Sequence, residues 1–142
     1  MLKYQFLLLE FILFFILKAD DYPNDQSTTS TISVGGSHKF GNIEVPNDED
    51  WFKVSLSSGW YYTVYNLEVS GSDPIVTVRG PSPSTTQIVY DDDAFTGRSA
   101  MATFKALSTG TYFIVAGCFS QHVGSYELYI IQSPCPTNCS RI

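Results

Sequence analysis

Apolar and polar residues alternate in short segments between Thr31 and Ile131. A period of two places the apolar side chains of each segment on one face of a β-strand. Gly, Pro, Ser and Asp separate the segments, and these residues favour turns. The pattern predicts nine strands: Thr31–Val34, Lys39–Glu44, Trp51–Leu56, Tyr61–Leu67, Ile75–Arg79, Gln87–Tyr90, Ala100–Lys105, Thr111–Gly117 and Tyr126–Ile131. We therefore expect an all-β protein, an antiparallel β-sandwich of eight or nine strands.

The same alternation predicts the core. In five of the strands, apolar residues at every second position would share one sheet face. Ile75, Phe113 and Val115 are apolar on the opposite face, so we expect some strands to be covered on both sides. The predicted inward sets are Phe52, Val54 and Leu56; Val76 and Val78; Ala100, Ala102 and Phe104; Tyr112, Ile114 and Ala116; and Tyr126, Leu128 and Ile130.

The first nineteen residues have the pattern of a secretory signal peptide. Lys3 precedes an apolar run from Tyr4 to Leu17, and Ala19 is a plausible cleavage residue. The run is shorter than the ~20 residues that a membrane span needs. An uncleaved anchor is the alternative. We expect a secreted protein with a signal at 1–19, a sandwich domain at 20–132 and a Cys- and Pro-containing tail at 133–142.

The charge of the mature chain restricts its partners. Removing Lys3, Lys18 and Glu10 with the signal leaves six basic residues against thirteen acidic ones, a formal charge of −7. Because no basic run is present, nucleic acid is not an expected partner. Stable membrane insertion after signal removal is not expected either.

Three cysteines allow at most one internal disulfide. Cys135 and Cys139 could close a tight loop, or Cys118 could tie either of them to the sandwich. A bridge from Cys118 would stabilise the fold by restricting the unfolded chain. A zinc site is a weaker third option, because paired ligand spacing is lacking. Asn138 begins a glycosylation sequon, which matters only in a eukaryotic host.

Acidic residues cluster in three places, each beside a predicted strand. Asp48, Glu49 and Asp50 precede an aromatic strand, Asp20 and Asp21 lie near the N-terminus, and another cluster spans 91–93. Neighbouring carboxylates repel one another, and a hard cation with oxygen ligands relieves that repulsion. Calcium is the first cation to consider. The alternative is that these residues serve only as solvated turns.

An ordered set of short motifs resembles the bacterial pre-peptidase C-terminal domain family. The resemblance covers residues 20 to 131. The motifs are Asp21-Tyr22-Pro23-Asn24-Asp25, Gly41-Asn42-Ile43-Glu44, Asp48-Glu49-Asp50-Trp51-Phe52, Asp73-Pro74, Tyr90-Asp91-Asp92-Asp93, Thr109-Gly110-Thr111-Tyr112-Phe113 and Gly124-Ser125-Tyr126-Glu127-Leu128. It implies a jelly-roll-like sandwich, a non-catalytic module of the kind usually appended to secreted proteases.

The resemblance also implies a metal site. In relatives attached to collagenases, similar domains bind calcium and the protein substrate. Carried over by matching position, the ligands are Asp21, Asn24, Asp25, Asp48 and Asp50. Because the signal leads directly into the module, we expect it to act as a chain separate from any protease.

The residues themselves do not indicate catalysis. A nucleophilic hydrolase needs Ser or Cys within reach of a base. The two histidines, His38 and His122, lie in separate turns, and no Gly-x-Ser-x-Gly elbow is present. We expect no enzyme activity.

Aromatic residues around the turn before Tyr61 suggest a binding surface. Trp60 and Tyr62 are the candidates, because exposed rings bind sugars or anchor proteins. The alternative is that they pack in the core. The expected function is a secreted, non-catalytic, calcium-stabilised module that binds an extracellular protein or polysaccharide. The second hypothesis is an accessory or regulatory segment of a secreted peptidase or other hydrolase, acting as a separate chain.

Overall fold

The computed structural model describes residues 19–82 and 86–134, which form two four-stranded antiparallel sheets. The strands are β1 (Lys39–Ile43), β2 (Glu49–Leu56), β3 (Tyr61–Ser70), β4 (Pro74–Arg79), β5 (Gln87–Asp91), β6 (Ala100–Lys105), β7 (Gly110–Cys118) and β8 (Gly124–Ser133). One sheet has the order β1-β8-β3-β6 and the other β2-β7-β4-β5. This order is that of an eight-stranded jelly roll, so the predicted all-β sandwich is confirmed.

The first predicted strand, Thr31–Val34, does not form. Thr31 makes a single parallel bridge to Lys53 of β2. The next residue, Ile32, is buried in the core. The chain then turns at Gly35, whose φ of 66° favours glycine. The segment therefore leaves the edge of β2 after one bridge, although its alternation resembles that of a strand.

Every residue of the predicted inward sets is buried. The two sheets pack these residues against each other in one core. The alternation did not assign several further core residues, among them Ile43, Tyr62 and Val64.

The outer face of the second sheet carries its own apolar cluster. Trp51, Phe113 and Val115 are buried there, and the Trp51 and Phe113 rings meet edge to face at 5.8 Å. The Arg79 guanidinium lies 5.5 Å from the centre of the Trp51 ring. The expected coverage of this face is thus confirmed for β7, whereas Ile75 is only half-buried.

The described residues include no helix long and apolar enough to cross a membrane. The predicted signal lies almost entirely outside the described residues, which begin at Ala19.

A matched pair of substitutions on β8 tests the assignment of its two faces. Leu128 has no exposed surface, whereas Ile131 is 36% exposed. We expect Leu128→Ala to lower the free energy of unfolding by about 2–5 kcal/mol, since it removes buried methyl groups and leaves a cavity. Ile131→Ala should change it by less than about 1 kcal/mol. Urea unfolding measures both, and equal losses would contradict the assignment.

Candidate functional site

The N-terminal segment lies along one end of the sandwich and contacts both sheets. The Tyr22 ring packs on Phe52 with 4.6 Å between centroids. Its hydroxyl donates to the Phe40 carbonyl at 3.1 Å. The Asp21 carboxylate accepts from the backbone N–H of Asn42 at 3.0 Å. A segment too polar to form core is therefore held by one aromatic ring and by the backbone groups of β1.

The segment continues along the edge of β2. The Trp51 N–H donates to the Pro23 carbonyl at 3.0 Å. The side chain of Thr28, itself buried, donates to the Trp51 carbonyl at 2.9 Å. These contacts place the N-terminal acidic residues beside the acidic turn that precedes β2.

Five carboxylates converge at this end, which we call the acidic end. Ligand oxygens of Asp20, Asp21 and Glu44 lie within 4.8 Å of one another. Those of Asp20, Asp48 and Asp50 form a second group within the same limit. Asp20 belongs to both groups, so it joins the N-terminal segment to the turn between β1 and β2.

The conformation of that turn positions Asp48. The Asp48 N–H donates to the Val45 carbonyl at 3.2 Å, and Asn47 has a φ of 67°, which Asn tolerates better than most residues. The Asp48 carboxylate then accepts from the N–H groups of Glu44 at 3.3 Å and Glu49 at 3.0 Å. Local hydrogen bonds therefore fix this carboxylate.

Asp50 is the buried member of the group. Its side chain faces inward from β2 and has no exposed surface. Oδ2 accepts a hydrogen bond of 2.6 Å from the Tyr126 hydroxyl of β8. Oδ1 has no hydrogen-bond partner. A buried carboxylate oxygen without a hydrogen-bond partner lowers the stability of the folded state. Here this oxygen belongs to a side chain that is grouped with two other carboxylates.

Gly41 makes the Tyr126 hydrogen bond possible. It pairs with Tyr126 across β1 and β8. A Cβ at position 41 would lie 2.3 Å from the Tyr126 hydroxyl oxygen, closer than real atoms approach. The absence of a side chain at Gly41 therefore leaves room for the ring to reach Asp50.

The electrostatics of the acidic end favour protonated Asp50 in the absence of a cation. The pKa of Asp50 is raised to about 8, mainly by burial and also by the charges of Asp21, Asp48 and Glu44, despite the lowering effect of the Tyr126 hydrogen bond. Burial, followed by the Asp50 charge, also raises the pKa of Tyr126. The hydroxyl therefore stays a donor throughout the physiological pH range.

Three of the five predicted ligands meet here, namely Asp21, Asp48 and Asp50. Asp25 is in neither group, and its carboxylate accepts from the Ser27 N–H at 2.6 Å. Hydrogen bonds from the side chain of Ser27 and from this N–H lower the pKa of Asp25. That carboxylate therefore serves a local turn, and its predicted ligand role is not supported. Asn24 is exposed, and its ligand role stays a prediction.

Sequence reasoning missed Asp20 and Glu44 as members of the site. Asp20 directly precedes Asp21, so the sequence alone could have placed it beside that predicted ligand. Glu44 is the last residue of the family motif that begins at Gly41, but it lies at the end of a predicted strand rather than in an acidic cluster. Only the turn from β1 to β2 brings it to the N-terminal segment.

A third acidic group lies away from the acidic end, at the N-terminal end of β4. Oxygens of Asp73, Asp92 and Asp93 lie within 4.8 Å of one another. His122 approaches Asp73 with 3.0 Å between Nδ1 and Oδ2. The neighbouring Asp91 instead accepts from two backbone N–H groups, so it has the turn role that was the alternative for this cluster.

The two aromatic residues of the predicted binding pair differ in their exposure to solvent. Trp60 is 54% exposed, whereas Tyr62 is only 4% exposed. The Tyr62 ring faces the core from β3, and its hydroxyl accepts from the Ser57 N–H at 3.1 Å. The binding role predicted for Tyr62 is therefore wrong, because both faces of β3 carry aromatic residues and their pattern does not distinguish inside from outside.

Aromatic rings instead form a row on the outer face of the first sheet. His38 stacks on Tyr129 at 4.2 Å, and Tyr129 stacks on Tyr65 at 4.7 Å. Phe95 meets Tyr65 edge to face at 5.3 Å. His38 also contacts Glu127 through Nδ1. The first three rings therefore contact one another through their faces, whereas Phe95 joins the row edge to face.

Cys118 is buried and forms no disulfide with any described residue, and burial is the main cause that raises the pKa of its thiol. Cys135, Cys139 and the sequon residue Asn138 lie outside the described residues. The predicted disulfide and glycosylation therefore stay predictions.

Comparisons with known proteins establish the fold of this chain. No family model and no curated protein matches it. Among solved structures, it is similar to the pre-peptidase C-terminal domain of a collagenase from Bacillus anthracis, with a TM-score of 0.58 and 19% identity over 71% of this chain and 92% of that one. The chain has the fold of a pre-peptidase C-terminal domain. The resemblance drawn from the sequence motifs is thus confirmed at the level of the fold.

The pre-peptidase C-terminal fold is shared with a protein of another kind. PliG of Aeromonas hydrophila, a periplasmic inhibitor of g-type lysozyme, is similar with a TM-score of 0.54 and 14% identity. The match covers 73% of this chain and 96% of PliG. Identities this low show a common fold and leave function to be argued from the residues.

The pKa of Asp50 predicts how stability changes with pH in the presence of chelator. Between its ordinary pKa near 4 and its folded value of about 8, the folded state holds a proton that the unfolded state releases. Stability should therefore fall as pH rises through this window, by up to about 1.4 kcal/mol per pH unit from this group. Asp50→Asn should flatten the slope, since its amide oxygen still accepts from Tyr126.

Thermal melts of both proteins from pH 5 to pH 8 measure this effect. The difference between the two slopes isolates Asp50 from other titrating groups. Identical slopes would contradict a raised pKa at this position.

Proposed function

We propose that this protein is a secreted, non-catalytic β-sandwich module whose acidic end binds calcium and which recognises an extracellular protein. The observation that carries the metal proposal is Oδ1 of Asp50, a buried oxygen without a hydrogen-bond partner in a group with Asp20 and Asp48. Secretion rests on the signal pattern of the first nineteen residues.

The ligand atoms at the acidic end suit calcium. Calcium takes six to eight oxygen ligands at 2.3–2.6 Å, so two oxygens on one ion are at most about 5 Å apart. The carboxylate oxygens in each group lie within 4.8 Å of one another. The residues that would hold the ion are Asp20, Asp21, Glu44, Asp48 and Asp50. Magnesium fits less well, because it needs a tighter octahedral shell and keeps its water.

Calcium would neutralise this cluster and join the N-terminal segment to the turn between β1 and β2. Asp20 and Asp21 belong to the segment, whereas Asp48 and Asp50 follow β1. The segment also hydrogen-bonds β1 through Asp21 and β2 through Pro23. An ion at this position would therefore stabilise the docked segment and, through it, the edges of both sheets.

The arrangement of the rings favours a protein partner over a polysaccharide. Sugars bind aromatic residues by packing on an open ring face. In the row on the outer face of the first sheet, Tyr129 has His38 on one side and Tyr65 on the other. Trp60 remains as an exposed indole, and it is the residue through which a glycan would bind in the alternative.

The second candidate is a regulatory chain that binds a secreted hydrolase. The observation that favours it is the similarity to PliG, whose name describes an inhibitor of g-type lysozyme. An inhibitor is a non-catalytic protein that acts as a separate chain, which is the role described by the second hypothesis. Both candidates share a protein-binding surface and differ in the class of partner.

Melting with and without calcium tests the metal proposal. At 10 mM calcium, a site with a Kd of about 0.1 mM would add about 2.7 kcal/mol to the free energy of unfolding. Asp50→Ala should abolish this gain, because it removes the buried ligand oxygen. Asp25→Asn is the matched control and should keep it. An unchanged melting temperature in the wild type would leave these acids as turn residues.

Affinity capture from the native secretion medium tests the partner. We expect the immobilised full chain to retain a discrete extracellular protein in calcium and to release it in chelator. A matrix or surface protein supports the first candidate, and a hydrolase whose activity falls on binding supports the second. Retention of polysaccharide alone, or hydrolase activity of the chain itself, would contradict the proposal.

A further inference from the structure

The edge of β2 is only partly paired. Residues at every second position of this strand direct their backbone groups away from β7, towards the N-terminal segment. Trp51 and Lys53 each have both backbone groups satisfied by that segment. The four hydrogen bonds are Trp51 N–H to the Pro23 carbonyl (3.0 Å), Thr28 Oγ1 to the Trp51 carbonyl (2.9 Å), Lys53 N–H to the Ser30 carbonyl (2.9 Å) and Ile32 N–H to the Lys53 carbonyl (3.0 Å).

Ser55 is the next residue in this series. The two-residue period of the strand directs its N–H and C=O to the same edge as those of Trp51 and Lys53. Within residues 19–82 and 86–134, the N-terminal segment makes no hydrogen bond to Ser55. An unpaired strand edge of this kind can accept another chain.

The path of the segment explains why Ser55 is left unpaired. Ile32 enters the core and is 3% exposed. Gly35 then donates its N–H to the Ile130 carbonyl of β8 at 2.8 Å, on the other sheet. The chain therefore crosses from one sheet to the other before it reaches Ser55.

A cavity lies where the segment departs, and we call it the β2 groove. Its volume is about 410 Å³, within the ~300–1,000 Å³ typical of ligand pockets. A smaller cavity of about 260 Å³ shares Ser55 and Thr111 with it and continues towards the end of β2. The groove is lined by Thr31, Ile32, Ser33, Val34, Lys53, Val54, Ser55 and Thr111.

The lining determines what the groove can bind. Four hydroxyl side chains line it, which suits hydrogen bonding to a polar backbone. Among the described residues that line the groove, Lys53 is the only charged one. Among the described residues, none of the ion pairs includes Lys53. In a chain of formal charge −6, a cation without a carboxylate partner favours an acidic group on the ligand.

We propose that the β2 groove binds an extended peptide segment that hydrogen-bonds to Ser55 and places an acidic side chain beside Lys53. This is strand addition, in which main-chain hydrogen bonds supply affinity and side chains supply specificity. The proposal rests on the protein-binding function proposed above and identifies where and how the partner is held.

Random heptapeptides displayed on phage are the probe. Selection against the full chain should enrich peptides that contain Asp or Glu. In nuclear magnetic resonance, a synthetic copy of an enriched peptide should slow hydrogen exchange at the Ser55 amide. Lys53→Glu and the groove-filling Ser33→Trp should each weaken its binding at least tenfold.

Matched controls separate the groove from general effects of charge and bulk. Arg98→Glu reverses an exposed cation that does not line the groove, and Gln121→Trp adds an indole in the turn after β7. Both should bind the peptide as the wild type does. Equal losses in controls and groove variants, or enriched peptides that leave the Ser55 amide unchanged, would overturn the proposal.

Two other occupants would also overturn it. If only a chain cut after residue 133 binds peptide, the protein's own tail fills the groove. If the wild type is a dimer that Lys53→Glu dissociates, a second copy fills it. Capture of the native partner distinguishes the two proposals. If Lys53→Glu retains this partner as fully as the wild type does, only the groove proposal is contradicted. If the wild type itself captures no partner, the proposed function is contradicted.

Discussion

Tyr126 donates a hydrogen bond to a carboxyl group that is wholly buried between the two sheets, and the organisation of the acidic end follows from this contact. Asp50 comes from β2 and Tyr126 from β8, so the bond joins the sheets across the core. It requires Gly41, because a side chain there would occupy the position of the Tyr126 ring. It satisfies one carboxyl oxygen and leaves the other without a hydrogen-bond partner.

This carboxyl group links the stability of the sandwich to the position of its N-terminal segment. The carboxylate of Asp21 on that segment and the carboxylate of Asp48 both raise the pKa of Asp50, as burial does to a greater extent. A cation reverses the effect, because it favours the ionised form of every carboxylate around it. The same segment covers the edge of β2 as far as Lys53. The acidic end and the open edge of β2 are thus connected by one stretch of chain.

Alternation along the sequence was sufficient to predict the sandwich and its inward residues, since a two-residue period directly determines which face a side chain occupies. It failed where both faces carry similar residues, as at Tyr62, and where a strand-like segment leaves its neighbouring strand after one bridge, as at Ile32. The family resemblance named Asp21, Asp48 and Asp50 as ligands, which the fold brings to the acidic end, but it did not name Glu44, whose position depends on a turn. Among the described residues, the N-terminal segment does not pair with Ser55 because it crosses to the other sheet first, and no local pattern contains that path.

The ionisation of Asp50 is the central claim, and carbon-13 nuclear magnetic resonance of its side-chain carboxyl carbon measures it directly. In chelator, we predict a titration midpoint near pH 8, well above the ordinary value of about 4 for Asp. In saturating calcium, the signal of this carbon should be that of an ionised carboxylate at every pH above about 5, because a bound cation stabilises the charged form. A midpoint near pH 4 in chelator, or a midpoint that calcium does not move, would contradict the account.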